Sequence, residues 1–200
     1  AEALLLLCAA GALESLSLWR EQRLPWALAL SWLCFTTAGL IKVIPLLWLG
    51  LPLLMVQLST NPPNHATPWQ TLLSRLMRLL RHPGFWLYIS TSLGAIACWY
   101  WHAHQLGQAS GLSFGFWGAG ADRSSLSLLL DLSAWINLLL RIGLRLLALV
   151  GVPFLLLGLR ASWRSSGGQI AISGLLGVLL CTIATMRSST IHEYYQLPLL

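Results

Sequence analysis

Residues 24–58 read LPWALALSWLCFTTAGLIKVIPLLWLGLPLLMVQL, a stretch of 35 positions with a single charge, Lys42. A helix on the surface of a soluble protein keeps a polar stripe toward water, and this stretch leaves none at a 3.6-residue period. It divides at Lys42-Val43-Ile44-Pro45. Pro45 has no N–H to donate, and its ring pushes Ile44 out of the helical region. The reading is two apolar helices, 24–41 and 46–58, joined by a lysine turn, with the second short for a full crossing. Segments apolar on every side bury themselves in lipid, where backbone groups must be satisfied within the helix.

The rest of the chain agrees. Of 200 residues, 56% are hydrophobic and 9% charged, against about 25% charged in an average soluble domain. So little charge excludes a disordered chain, and four cysteines at unrelated spacings exclude a disulfide-stapled module. Cys8, Cys34, Cys98 and Cys181 all fall in apolar runs and read as free thiols. The expected class is all-α: a polytopic membrane protein with about six transmembrane helices and one cytoplasmic amphipathic surface helix. The predicted spans are 3–19, 24–41, 46–58, 85–104, 132–159 and 169–186. Residues 1–200 read as part of a single transmembrane domain, an internal piece of a longer protein.

Between the spans, 59–84 is a polar loop whose second half, Trp69 to His82, is amphipathic. Trp69, Leu72, Leu73, Leu76 and Leu80 share one face, and Arg75, Arg78 and His82 another. That pattern fits a helix lying on anionic headgroups, or an ordinary basic connector. Trp86 and Tyr88 at one end of the fourth span, with Trp99, Tyr100 and Trp101 at the other, read as interfacial belts. A Gly-rich loop follows, 105–131. The fifth span opens with Ser133, Asn137, Arg141 and Arg145 at i,i+4 spacing, and the sixth carries Ser173 and Gly177 as a small-residue packing face.

Alternation places Arg20, Arg23, Arg75, Arg78, Arg81, Arg160 and Arg164 on one side and Lys42, Arg123, Arg141, Arg145 and Arg187 on the other. The larger group marks the cytoplasmic side. Cations kept on the outer side, some at membrane depth, call for an anionic partner there. Arg141 and Arg145 read either as headgroup-seeking side chains or as phosphate ligands. Glu14 reads as interfacial. His102 and His104, two apart, point to different faces and do not make a metal pair. The Gly-Ala-Gly at 118–120 lacks the strand–turn–helix setting of a nucleotide site. No cofactor, metal site or nucleic-acid partner is expected.

Near the C-terminus stands His192-Glu193-Tyr194-Tyr195-Gln196-Leu197-Pro198. It resembles the His-Asp-Tyr-Tyr-x-Leu-Pro signature of bacterial members of the protein-mannosyltransferase-like superfamily, glycosyltransferases of the GT-C membrane fold. Gly39-Leu40-Ile41-Lys42-Val43-Ile44-Pro45 is similar to that family's lysine turn in a shortened register, and Glu2 sits where the family opens a spanning helix with an acid. The loop 111–118 and Asp131 are also similar. Glu193 replaces the usual Asp, and the family's principal catalytic carboxylate lies in an outer loop upstream of residue 1.

The resemblance implies transfer of a sugar from a polyprenyl-phosphate donor to an acceptor hydroxyl, with inversion, at the extracytoplasmic face of a bacterial inner membrane. Lys42, Arg187, His192, Tyr194, Tyr195, Arg141 and Arg145 would bind the lipid phosphate and the sugar, and Glu2 would be an accessory acid. Expected partners are membrane lipids, the lipid-linked donor and an acceptor. The alternative is a transporter or flippase for a lipid-linked anion.

Overall fold

The computed structural model describes residues 2–58, 68–111, 126–162 and 165–185, and among these the regular structure is entirely helical. The chain divides into two compact units, residues 3–101 and 102–200. The elements are α1 (Glu2–Gln22), α2 (Pro25–Ile41), α3 (Pro45–Leu58), α4 (Pro68–Leu80), α5 (Pro83–Ser110), α6 (Leu126–Leu130), α7 (Leu132–Arg141), a π turn (Ile142–Leu146), α8 (Gly151–Ser162) and α9 (Ser166–Ala184).

Two helices are long and apolar enough to cross a bilayer, α1 over 3–22 and α9 over 167–184. α2, α3 and α8 are apolar but of 17 residues or fewer. Prolines start α2, α3, α4 and α5; at the first helical position the missing N–H costs nothing and φ is already set. α1 stops where Arg23 takes a left-handed φ of 57°. α5 runs on to Ser110, past the expected end at His104, and stops at Gly111 with φ 70°, a conformation that glycine adopts without a Cβ penalty. The predicted loop 105–131 is therefore helical at its start and again over Leu126–Leu130. The rest of that loop lies outside the described residues.

A ladder of side chains holds α2 to α5. The Ser31 hydroxyl lies 3.1 Å from Tyr88 Oη, Trp32 Nε1 donates to Thr91 Oγ1 at 2.9 Å, and Thr36 Oγ1 donates to Ser92 Oγ at 3.1 Å. Beyond the end of α2, the Val43 N–H donates to Tyr100 Oη at 3.0 Å. The offsets along the chain are 57, 59, 56 and 57 residues. A near-constant offset means the two helices run parallel. Ser31 also donates to the Ala12 carbonyl of α1 at 2.9 Å, which leaves Tyr88 as the donor to Ser31.

The first unit thus has two ends. One holds the Lys42 turn and Tyr100. The other holds the C-termini of α1 and α3 and helix α4, because Arg20 donates to the Val56 carbonyl and Arg75 to the Leu58 carbonyl. These carbonyls fall in the last turn of α3, where no intrahelical N–H remains for them.

The second unit departs from the expected continuous helix 132–159. α7 ends at Arg141, a π turn follows with Leu147 N bonded to the Ile142 carbonyl, and Ala148 and Leu149 take φ of 47° and 58° before α8 begins at Gly151. Pro153 supplies the reason. It has no N–H for the Leu149 carbonyl and its ring would strike that carbonyl, so an unbroken helix cannot pass through. α8 packs on α9, where Ser173, Gly177 and Cys181 recur at i,i+4 and are all buried, as expected of the small-residue face.

Candidate functional site

Lys42 ends α2 in an extended conformation (φ −150°, ψ 130°), its N–H bonded to the Ala38 carbonyl at 3.0 Å. It is half-buried. The turn it opens is tied down from two sides: Leu46 N bonds the Val43 carbonyl at 3.1 Å, and Val43 N bonds Tyr100. Gly39, one turn earlier, is buried with no room for a side chain. A Cβ there would stand 2.9 Å from Ile96 Cγ1 and 3.1 Å from Leu46 Cδ2. Gly39 therefore lets α2 close on α5 and lets α3 fold back, and this packing sets where Lys42 emerges.

In the second unit, Arg141 ends α7, half-buried, and lines an open hollow of about 480 Å³ with Asp131, Ser133, Asn137 and Leu144. Asp131 is committed to the start of that helix. Its Oδ1 accepts from Ser133 N at 2.8 Å and its Oδ2 from Ser133 Oγ at 3.0 Å. These two bonds, the hydroxyl's first, hold the Asp131 carboxyl below the usual carboxylate range. With an anion at its N-terminus and Arg141 in its last turn, α7 has both ends matched to its dipole. Arg145 lies in the π turn, so the strict i,i+4 stripe from Ser133 holds only as far as Arg141.

Glu2 is the first residue of α1. Arg187, His192, Tyr194 and Tyr195 lie outside the described residues, as do Glu193 and the loop 112–125. Lys42 belongs to the first unit and Arg141 to the second. Among the described residues no three His, Cys, Asp or Glu side chains converge as metal ligands. The cysteines are free thiols; Cys8 and Cys181 are buried, Cys34 half-buried and Cys98 exposed.

The structure also brings into one cavity residues that the sequence places only on a common side. At the other end of the first unit, Arg20, Arg23, Arg75 and Arg78 line a cavity of about 450 Å³. The amphipathic helix α4 is turned so that its basic stripe faces this cavity, while Leu73, Met77 and Leu80 are exposed. The signal available in sequence is topological, since alternation of the expected spans puts 20–23 and 59–84 on one side.

No family model, curated protein or solved structure matches the chain.

Proposed function

We propose that the chain is the membrane-embedded part of a GT-C-type glycosyltransferase that moves a sugar from a polyprenyl-phosphate donor to an acceptor hydroxyl on the extracytoplasmic face. The observation that carries the reading is the string His192 to Pro198, which begins eight residues along the chain from the last residue of α9, a helix apolar and long enough to cross a bilayer. A sugar donor with a prenyl tail demands a site of that kind, with polar groups at the mouth of spanning helices.

Six crossings make up the proposed topology: α1, α2, α3, α5, the broken pair α7–α8, and α9. Support comes from the parallel run of α2 and α5, as alternation through α3 requires, and from apolar side chains such as Leu87, Leu132 and Phe154, 66%, 72% and 69% exposed. Exposed apolar surface on that scale belongs against lipid or a partner.

In the proposed reaction the acceptor oxygen attacks the anomeric carbon and loses its proton to a carboxylate contributed from upstream of this chain. The bond from that carbon to the phosphate oxygen breaks, and the lipid phosphate leaves with the electron pair. A single displacement of this kind inverts the anomeric centre. Fixed cations lower the barrier by meeting charge as it grows on the leaving phosphate. The resemblance gives that role to Lys42 and Arg187, assisted by Arg141 and Arg145, and gives His192, Tyr194 and Tyr195 the holding of the sugar or the phosphate. The turn, tied by Val43 N to Tyr100 and Leu46 N to the Val43 carbonyl, fixes where the Lys42 side chain leaves the backbone.

The test is sugar transfer from a lipid-linked donor by the full-length protein with Lys42→Ala, His192→Ala and Tyr195→Phe introduced singly. Each is expected to slow transfer at least tenfold. Transfer unchanged in all three refutes the site, and translocation of a lipid-linked anion by proteoliposomes without any transfer establishes the transporter alternative instead.

A further inference from the structure

The arginine-lined cavity lies within the first unit and takes no part in the proposed transfer. It opens at the end where α1, α3 and α4 meet, whereas the Lys42 turn lies at the far end of α2, about 25 Å away at 1.5 Å per residue. Its mouth is cationic. Arg20, Arg23, Arg75 and Arg78 line it, and no carboxylate does so among the described residues. Its interior is mostly apolar, walled by Leu16, Leu53, Phe35, Phe85 and Ile89, with Gln57 and Tyr88 the polar side chains among them. Phe35 is ten residues into α2, so the cavity reaches about 15 Å inward from the start of that helix.

Helix capping explains part of the arginine cluster. Arg20 and Arg75 each give one N–H to the terminal carbonyls of α3, and Arg23 lies 5.3 Å from the centre of the Trp19 ring, a cation–π distance. Capping leaves a remainder. Arg75 Nη2 is buried without a hydrogen-bond partner, and a buried charged donor left unpaired costs several times a surface one. Arg20 is also close enough to Arg23 and Arg75 to feel their like charges, with Glu21 the opposing charge nearby. A cluster of guanidinium groups at the mouth of a low-dielectric cavity is stabilised by an anion, and planar guanidinium forks suit phosphate oxygens.

We infer that this cavity binds a membrane phospholipid of net negative charge, its phosphate seated among Arg20, Arg23, Arg75 and Arg78 and the upper part of one acyl chain along Leu16, Leu53 and Phe35. The volume agrees with partial insertion. About 450 Å³ is roughly three times the ~150 Å³ cavity that accommodates benzene, enough for a chain segment but not for a whole lipid, whose remainder stays in the bilayer. A free anion would use the mouth and leave the apolar interior without purpose. The inference stands on the first unit alone and does not depend on the glycosyltransferase reading.

The test counts lipids retained by the purified, delipidated full-length protein in native mass spectrometry, with apparent Kd from titration. Phosphatidylglycerol, phosphatidylcholine and inorganic phosphate are the probes. The unaltered protein should hold phosphatidylglycerol at least tenfold more tightly than phosphatidylcholine, and inorganic phosphate should not displace it. Arg20→Gln with Arg75→Gln should weaken binding at least tenfold, about 1.4 kcal/mol.

A second variant attacks the cavity and spares every charge. Gly50 lines the cavity and a Cβ there meets nothing within 4 Å, so Gly50→Leu puts its side chain into the cavity, takes up part of the space an acyl chain would use, and should also lose the lipid. Arg160→Gln, an exposed cation on α8, should bind as the unaltered protein does. Equal affinity for phosphatidylcholine overturns the inference, as does inorganic phosphate binding as tightly as the lipid. Should the arginine variant not fold, Gly50→Leu decides alone, and undiminished lipid binding by it refutes the proposal.

Discussion

Replacing Gly39 by alanine adds one methyl group, and the structure says where it goes. The new Cβ would stand 2.9 Å from Ile96 Cγ1 and 3.1 Å from Leu46 Cδ2, with Ile96 Cδ1 also in its way. Ile96 is 3% exposed, so its side chain has little room to swing aside, and overpacking of this kind costs about 1–3 kcal/mol. Alanine also gains about 1 kcal/mol over glycine inside a helix. The expected net effect is a loss of up to about 2 kcal/mol, from the difference of those two figures. Gly50→Ala is the matched control, because its Cβ meets nothing within 4 Å and only the helical gain remains. Unfolding in mixed detergent and dodecyl sulfate, followed by far-ultraviolet circular dichroism, measures both. Ile96→Val deletes the offending Cδ1 at a cost of about 0.5–1.5 kcal/mol, and the double variant Gly39→Ala with Ile96→Val should lose less than the sum of the two. If Gly39→Ala proves as stable as Gly50→Ala, α2 and α5 do not meet at Gly39 and the account of the Lys42 turn fails with it.

Two further outcomes follow from single hydrogen bonds. Tyr100→Phe removes the acceptor of the Val43 N–H; an orphaned amide costs about 1–3 kcal/mol, and hydrogen exchange at Val43 should speed up while the middle of α2 keeps its protection. Ser133→Ala removes the hydroxyl that contributes most to holding the Asp131 carboxyl low, so its titration, followed by carboxyl NMR, should move up toward the ordinary value. The sign for stability follows from linkage: a depressed folded-state pKa stabilises above the ordinary carboxylate range, and that contribution disappears as pH falls through the lowered value. Acid should therefore loosen α7 at its N-terminus, and Asp131→Asn should remove that pH dependence; an unchanged acid profile in Asp131→Asn contradicts the capping role.

The helices were legible because their signals are local. Apolar runs, the proline at 45 and the small residues at 173 and 177 each act within a few positions of themselves, and the structure places helices, break and packing face accordingly. The break in 132–159 was also written locally, in Pro153 and the glycines at 143 and 151. The even Leu content on both sides masked it, since an apolar count does not register a missing N–H.

The two ends of the first unit show the division most clearly. Lys42 could be singled out from its isolation in an apolar stretch and from the proline three residues on. That Tyr100 holds its turn, and that Gly39 must be glycine, depend on α5 lying beside α2 some 57 residues away in the chain. The arginine cavity goes further. In sequence Arg20 ends one helix and Arg75 sits on the basic face of another, on the same expected side, with nothing to say that the two share a site. They come together because the terminal carbonyls of α3 need donors and both guanidinium groups reach them. Sequence alone determined that this chain is helical and apolar and where its charges stand along each segment. Tertiary structure decided which of those charges face the same space, because hydrogen-bond demand at a helix end is met by whatever donor the packing brings within about 3 Å, however distant in the chain.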